Sequence, residues 1–207
     1  MNIRLQNSDV YYNVPLKGDN FTEQSGAWSY GDNGGLNNDS QYLQCDSSGH
    51  VSTPINLAYG TWEFDFYNYS LSTRLYFAFI SDGVLSGLLN SSFLLYVGAN
   101  NEVWMRKTGS SVGTPMLSAN GYISNETWYS FKITRTTDGE FTVYIKGGAF
   151  GNDWVLISAD GGSNPFTDTD YPTSNNIVVT QYANTKIANI KYSKEIADET
   201  KHIGIIE

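Results

Sequence analysis

WYSFKITRTTDGEFTVYIKGG, residues 128–148, decides the fold. Tyr129, Phe131 and Ile133 alternate with Ser130, Lys132 and Thr134. After Thr137-Asp138-Gly139, Phe141, Val143 and Ile145 alternate with Thr142, Tyr144 and Lys146. One apolar face and one polar face at period 2 is the pattern of a half-buried antiparallel hairpin. Asp138-Gly139 supplies the positive φ that a short hairpin loop needs.

Similar segments recur outward from this hairpin. Strands are expected at 60–69 (GTWEFDFYNY), 73–81 (TRLYFAFIS), 92–98 (SFLLYVG), 102–108 (EVWMRKT), 153–159, 175–182 and 186–193, and Ala99-Asn100-Asn101 closes a second hairpin. In 73–81, Leu75, Phe77 and Phe79 alternate with Tyr76, Ala78 and Ile80, so both parities are apolar. That predicts a central strand covered on both sides. No segment holds a helical period. The stretches 18–40 and 160–176 are polar and punctuated by glycine, and are expected to be long loops of the kind that often carries function. At 207 residues the economical reading is one all-β domain, an antiparallel two-sheet jelly-roll sandwich.

Composition narrows the function classes. The chain is 40% hydrophobic and 14% aromatic but only 16% charged, with a net charge of -9. An acidic surface without a Lys/Arg cluster repels phosphate backbones and anionic lipid, so nucleic acid and membrane surfaces are not expected partners. The single cysteine, Cys45, permits no intramolecular disulfide and reads as a small buried apolar residue. The two histidines, His50 and His202, lack neighbours at zinc-ligand spacing. Gly147-Gly148 and Gly161-Gly162 lack the Lys-Ser/Thr of a phosphate loop. The N-terminal MNIRLQNSDVYYNV has no apolar signal core and no run is long enough to span a bilayer, so synthesis in a cytoplasm without a signal peptide or membrane insertion is expected. Sequons at Asn20, Asn38, Asn68, Asn90 and Asn125 are chance products of an Asn/Ser/Thr-rich composition.

GTWEFDFYNY resembles the early core strand of the concanavalin A-like, laminin G-like family. The 128–148 hairpin is similar to that family's Trp-started hairpin, and KIANIKYS (186–193) to its closing strand. The resemblance covers about residues 20–193. It implies a concanavalin A-like sandwich flanked by an N-terminal arm (1–19) and a C-terminal tail (194–207). This fold hosts lectins, glycosidases, adhesion modules and virion proteins alike. The leaderless, Asn/Ser/Thr/Gly-rich texture is most similar to the versions in tailed-phage structural proteins, which implies a virion location and assembly with other virion proteins or as a homo-oligomer.

Glycosidases of this superfamily alternate carboxylates along one strand, since a retaining mechanism sets two carboxyl groups about 5 Å apart. WEFDF supplies Glu63 and Asp65 on one parity, but Tyr67 and Asn68 follow where a third carboxylate is needed. The expectation is therefore a protein without catalytic residues, with Glu63 and Asp65 on a solvated strand face. Calcium is the cofactor the composition allows, with Asp168 and Asp170, and also Asp32-Asn33, as oxygen donors.

Two readings follow. The first is a non-catalytic virion structural protein: a capsid decoration, head-fibre or tail-associated protein that works by protein–protein assembly. Its docking residues would be Ile203, Ile205 and Ile206 of the tail KEIADETKHIGIIE, with Ile3 and Leu5 as a matching arm. The alternative is a carbohydrate-binding, lectin-like module, with Trp28, Tyr30, Trp104 and Tyr171 set against sugar rings of cell-surface or mucus glycans. Arg106 shares the face of Trp104 in that reading. Trp62, Trp128 and Trp154 read as packing residues.

Overall fold

The computed structural model describes residues 11–16, 21–70, 72–84, 90–109, 115–182 and 184–194. Ile3, Leu5, Ile203, Ile205 and Ile206 lie outside the described residues. In chain order the strands are β1 Tyr12–Asn13, β2 Thr22–Ser25, β3 Trp28–Gly34, β4 Ser40–Cys45, β5 Ser48–Pro54, β6 Gly60–Asn68, β7 Arg74–Ser81, β8 Ser92–Gly98 and β9 Glu102–Thr108. They continue with β10 Leu117–Ala119, β11 Thr127–Arg135, β12 Glu140–Gly147, β13 Val155–Leu156, β14 Gly161–Gly162, β15 Phe166–Thr167, β16 Asn176–Tyr182 and β17 Lys186–Lys194. No helix among these residues is long and apolar enough to cross a membrane.

Two antiparallel sheets face each other. The first runs β13-β12-β11-β6-β17-β4-β3, with β1 on β17 and β15 on β12; the second runs β14-β10-β9-β8-β7-β16-β5-β2. This is the expected two-sheet jelly-roll sandwich. The 128–148 hairpin forms with Tyr129, Phe131 and Ile133 opposite Gly147, Ile145 and Val143. Gly139 at φ 83 makes its turn.

The core is an aromatic seam between the sheets. Phe64 of β6 packs on Phe77 of β7 at 4.2 Å and on Phe131 of β11 at 5.5 Å, while Trp62 meets Phe79 at 4.9 Å and Phe93 meets Phe141 at 4.7 Å. Rings at these separations bury large areas and add a pairwise preference. β7 is buried on both parities, as its sequence predicts. Its outward residues Tyr76 and Ala78 form a second cluster with Leu94, Tyr96 and Val178, flanked by Trp104 and Tyr182.

Arg135 continues the inward parity of Tyr129, Phe131 and Ile133, and it is fully buried. Its guanidinium donates to the carbonyls of Ala58, Asp168, Asp170 and Tyr171. Burial pulls its pKa below the ordinary value, and these four acceptors are what make a charge tolerable there. They also pin the 168–171 segment to the end of the sandwich.

Four expectations are corrected. The stretch 18–40 is not one long loop: among its described residues β2 and β3 run through it, joined by Gly26-Ala27, and the Gly34-to-Ser40 connection follows. The strand expected at 153–159 shrinks to β13, whose Val155 and Leu156 are exposed. Trp128 and Trp154 are not core residues; each is half-buried, because inward pointing belongs to the opposite parity on β11 and Trp154 precedes a two-residue edge strand. Glu63 and Asp65 do lie on the outward parity of β6, yet both are buried.

Phe131→Ala is expected to cost about 3–5 kcal/mol, since it opens a cavity in the seam. Lys132→Ala, one residue along and facing outward, should cost about 0.5 kcal/mol. Urea denaturation midpoints of the two variants check the face assignment, and similar values would refute it.

Candidate functional site

The strand register sets out the outer face of the first sheet row by row. Trp128 lies opposite Tyr67, which lies opposite Lys186. Next along the strands, Lys146 lies opposite Ser130, Ser130 opposite Asp65, and Asp65 opposite Ala188. The third row runs Tyr144, Lys132, Glu63, Lys191 and Asn13. Residues directly opposite on one face are within side-chain reach.

β17 breaks its alternation here. Between Ala188 and Lys191 its register against β6 shifts by one residue, so Ile187 and Ile190 both reach the core. Asn189 takes up the extra residue at φ 50. A bulge of this kind re-aims a side chain, and the Asn189 Nδ2 donates to Asp65 Oδ2 at 2.8 Å. The Leu36 amide donates to the same oxygen at 3.0 Å, and the Ser130 hydroxyl donates to Asp65 Oδ1. Asp65 thereby joins β11, β17 and the β3–β4 connection.

That connection lies across the sheet. A Cβ at Gly35, whose φ is 82, would stand 2.7 Å from Asn189 Nδ2 and 2.9 Å from Asp65 Oδ2, so only glycine lets the backbone come this close. Leu36 reaches as far as Gly147 on β12. Beside this arch Glu63 accepts from the Tyr11 hydroxyl at 2.9 Å and pairs with Lys191 Nζ at 2.8 Å.

Under and beside the arch is a recess of about 250 Å³. Asn13, Asn37, Glu63, Lys146, Asn189 and Lys191 line it, with Asp65 and Ser130 at its floor. Aromatic rings stand on the same sheet face: Trp128 packs on Tyr67 at 5.4 Å and on Tyr42 at 6.5 Å, while Tyr144 and Trp154 flank Lys132. Donors and acceptors concentrated on a face with half-buried rings can hold a polyhydroxylated molecule, with hydrogen bonds fixing its orientation.

The residues singled out in the sequence are not brought together. Trp28 packs against the core from edge strand β3 and donates its indole N–H to Ser25 O at 2.8 Å, and Tyr30 on the same strand is exposed. Trp104 and Arg106 do share a face, with the guanidinium 4.1 Å from the ring centre, but they belong to the second sheet. Tyr171 plugs the end of the sandwich, its hydroxyl donating to Thr108 O at 2.6 Å and its ring edge-on to Phe93. Asp168 and Asp170 both pair with Lys107 Nζ, at 2.6 and 2.7 Å. These two partners push the Lys107 pKa up. No group of three or more His, Cys, Asp or Glu gathers as metal ligands among the described residues.

No protein-family model matches the chain, and no curated protein matches it. Solved structures share its fold. The carbohydrate-binding module CBM66 from Bacillus subtilis superposes with a TM-score of 0.61 at 16% identity, covering 84% of this chain and 96% of that one. A candidate glycosyl hydrolase from Parabacteroides distasonis gives 0.58 at 12% identity, covering 90% and 100%. The Emp46p carbohydrate recognition domain gives 0.50 at 11% identity in its metal-free form, covering 81% and 87%, and is also known in a potassium-bound form. At such identities the likeness shows the jelly-roll sandwich fold and nothing finer.

Asp65→Asn replaces an acceptor-only group with one that can accept at a single atom. It is expected to cost about 1–3 kcal/mol by leaving a buried donor unpaired. It should also speed hydrogen exchange of the Leu36 amide. Unchanged stability together with unchanged Leu36 protection would show that the arch is held by other contacts.

Proposed function

We propose that this chain is a carbohydrate-binding domain whose ligand sits in the recess on the outer face of the first sheet. The observation that carries this reading is the concentration of Asn13, Asn37, Asn189, Lys146 and Lys191 in one recess, on a sheet face that also carries the half-buried rings of Trp128, Tyr67, Tyr144 and Trp154. Support also comes from the fold neighbours, which include a carbohydrate-binding module and a carbohydrate recognition domain. These neighbours favour the carbohydrate-binding reading over the virion one.

The proposal is of binding without turnover. Asp65 is occupied by three donors, and Tyr67 and Asn68 stand where a further carboxylate of the superfamily pattern would be. A retaining glycosidase needs a carboxyl group free to attack and a second free to give and take a proton.

Affinity gel electrophoresis against β-glucan, galactomannan, polygalacturonate and chondroitin sulfate tests the site. At least one polymer should retard the chain without releasing reducing ends. Trp154→Ala should weaken that retardation about tenfold, because it removes the ring that holds Lys146 and Lys132 in place, while Trp104→Ala leaves it unchanged. Retardation by none of the polymers, or loss on Trp104→Ala alone, would overturn the assignment.

A further inference from the structure

Five aromatic rings of this side of the sheet already carry an ammonium group on a face. Lys146 Nζ lies 4.5 Å from the Trp154 ring centre and Lys132 Nζ 4.8 Å from it, while Lys132 is also 4.6 Å from Tyr144. Lys186 stands 4.4 Å from Tyr42 and 5.1 Å from Tyr67, and Lys191 stands 4.8 Å from Tyr11. A neutral sugar stacks its C–H face on an open ring face. Here that approach displaces a cation held by the ring quadrupole. A negatively charged sugar meets the same cations as partners.

The charge balance of the face points the same way. The whole chain carries -9, yet this face gathers Lys132, Lys146, Lys186 and Lys191 around Glu63 and Asp65, with Glu126 close to Tyr67 at one side. Both carboxylates are already engaged: Asp65 by the Leu36 amide, Ser130 and Asn189, and Glu63 by Lys191 and Tyr11. What they present to the recess is therefore a hydrogen-bonded floor. Of the cations, Lys146 and Lys191 line the recess itself.

We infer that the recess selects an anionic glycan, whose carboxylate or sulfate groups pair with Lys146 and the neighbouring lysines; this rests on the carbohydrate-binding reading and names its ligand class. The row holding Trp128, Tyr67 and Lys186 and the row holding Lys132 are four positions apart along β11, about 13 Å in the strand direction at ~3.3 Å per residue. A chain with charges recurring along its length fits that spacing, and a single charged monosaccharide reaches one row only.

The test sets two acidic polymers against two neutral ones, one of which differs from its acidic parent only by esterification of the carboxylates. Binding of the full chain to polygalacturonate, to its fully methyl-esterified neutral form, to chondroitin sulfate and to β-glucan is measured by calorimetry at about 50 mM and about 500 mM NaCl, where screening of exposed charges differs strongly. One acidic polymer should bind, and which one separates carboxylate from sulfate recognition. Its affinity should fall about tenfold or more at the higher salt, and the neutral polymers should bind more weakly. Lys146→Gln should lose about tenfold in affinity with an unchanged melting midpoint. A neutral polymer bound as tightly and without salt dependence would overturn the anionic selection while leaving carbohydrate binding intact. Binding of none of the four would remove both readings. Acidic-polymer binding untouched by Lys146→Gln would move the anionic site away from the recess.

Discussion

The arrangement of the outer face depends on one buried carboxylate. Asp65 sits in the middle of β6, the strand flanked by β11 and β17, and almost none of its surface is exposed. A charge in that position is tolerable only where its lone pairs are filled. The donors come from three separate places in the chain: Ser130 on β11, Asn189 from the β17 bulge, and the Leu36 amide from the arch between β3 and β4. Satisfying Asp65 therefore fixes the bulge and brings the arch down over the sheet. The recess is the space left beside that construction.

A second buried charge organises the end of the sandwich in the same manner. Arg135 fills itself with four carbonyl acceptors and holds the 168–171 segment, while Lys107 holds the carboxylates of Asp168 and Asp170. The Asp-rich segment that invites a calcium reading is thus knitted by protein cations. Tyr171, placed between Phe93 and the Thr108 carbonyl, completes the plug. The loop 160–176 is in this respect a piece of the fold's closure.

Period 2 made the interior strands legible. β6, β7, β8, β9, β11, β12, β16 and β17 all carry strong apolar alternation or continuous apolar runs, and each formed within a residue or two of its expected bounds. The edge strand β2 is only Thr-Glu-Gln-Ser, and β3 alternates Trp28 and Tyr30 with Ser29 and Gly31 before running into Gly-Asp-Asn-Gly; that glycine- and Asn-rich setting has low strand preference and its pairing comes from neighbours, so the short alternation was passed over. Two signals of the site were present and passed over. Ile187 and Ile190 are three apart in an otherwise alternating strand, which marks a bulge, and Arg135 occupies an inward parity, which marks a buried charge. Glu63 and Asp65 were assigned to the correct face, but the arch that buries them is a tertiary contact 29 residues away in sequence. The aromatics chosen from the sequence were those in loops or beside a cation; Trp154 and Trp128, taken as packing, are the ones on the recess face.

Two outer faces of the sandwich now present aromatic rings with cations, the recess face and the Trp104–Arg106 face, and the account places the ligand on the first. Backbone amide chemical-shift mapping of the labelled chain, titrated with an oligosaccharide of whichever polymer it binds, distinguishes them most directly. The account predicts shifts at Leu36, Asn37, Lys146 and Asn189, around Asp65. Shifts confined to Trp104, Arg106 and their neighbours on β8 and β9, with the Asp65 surroundings silent, would contradict it.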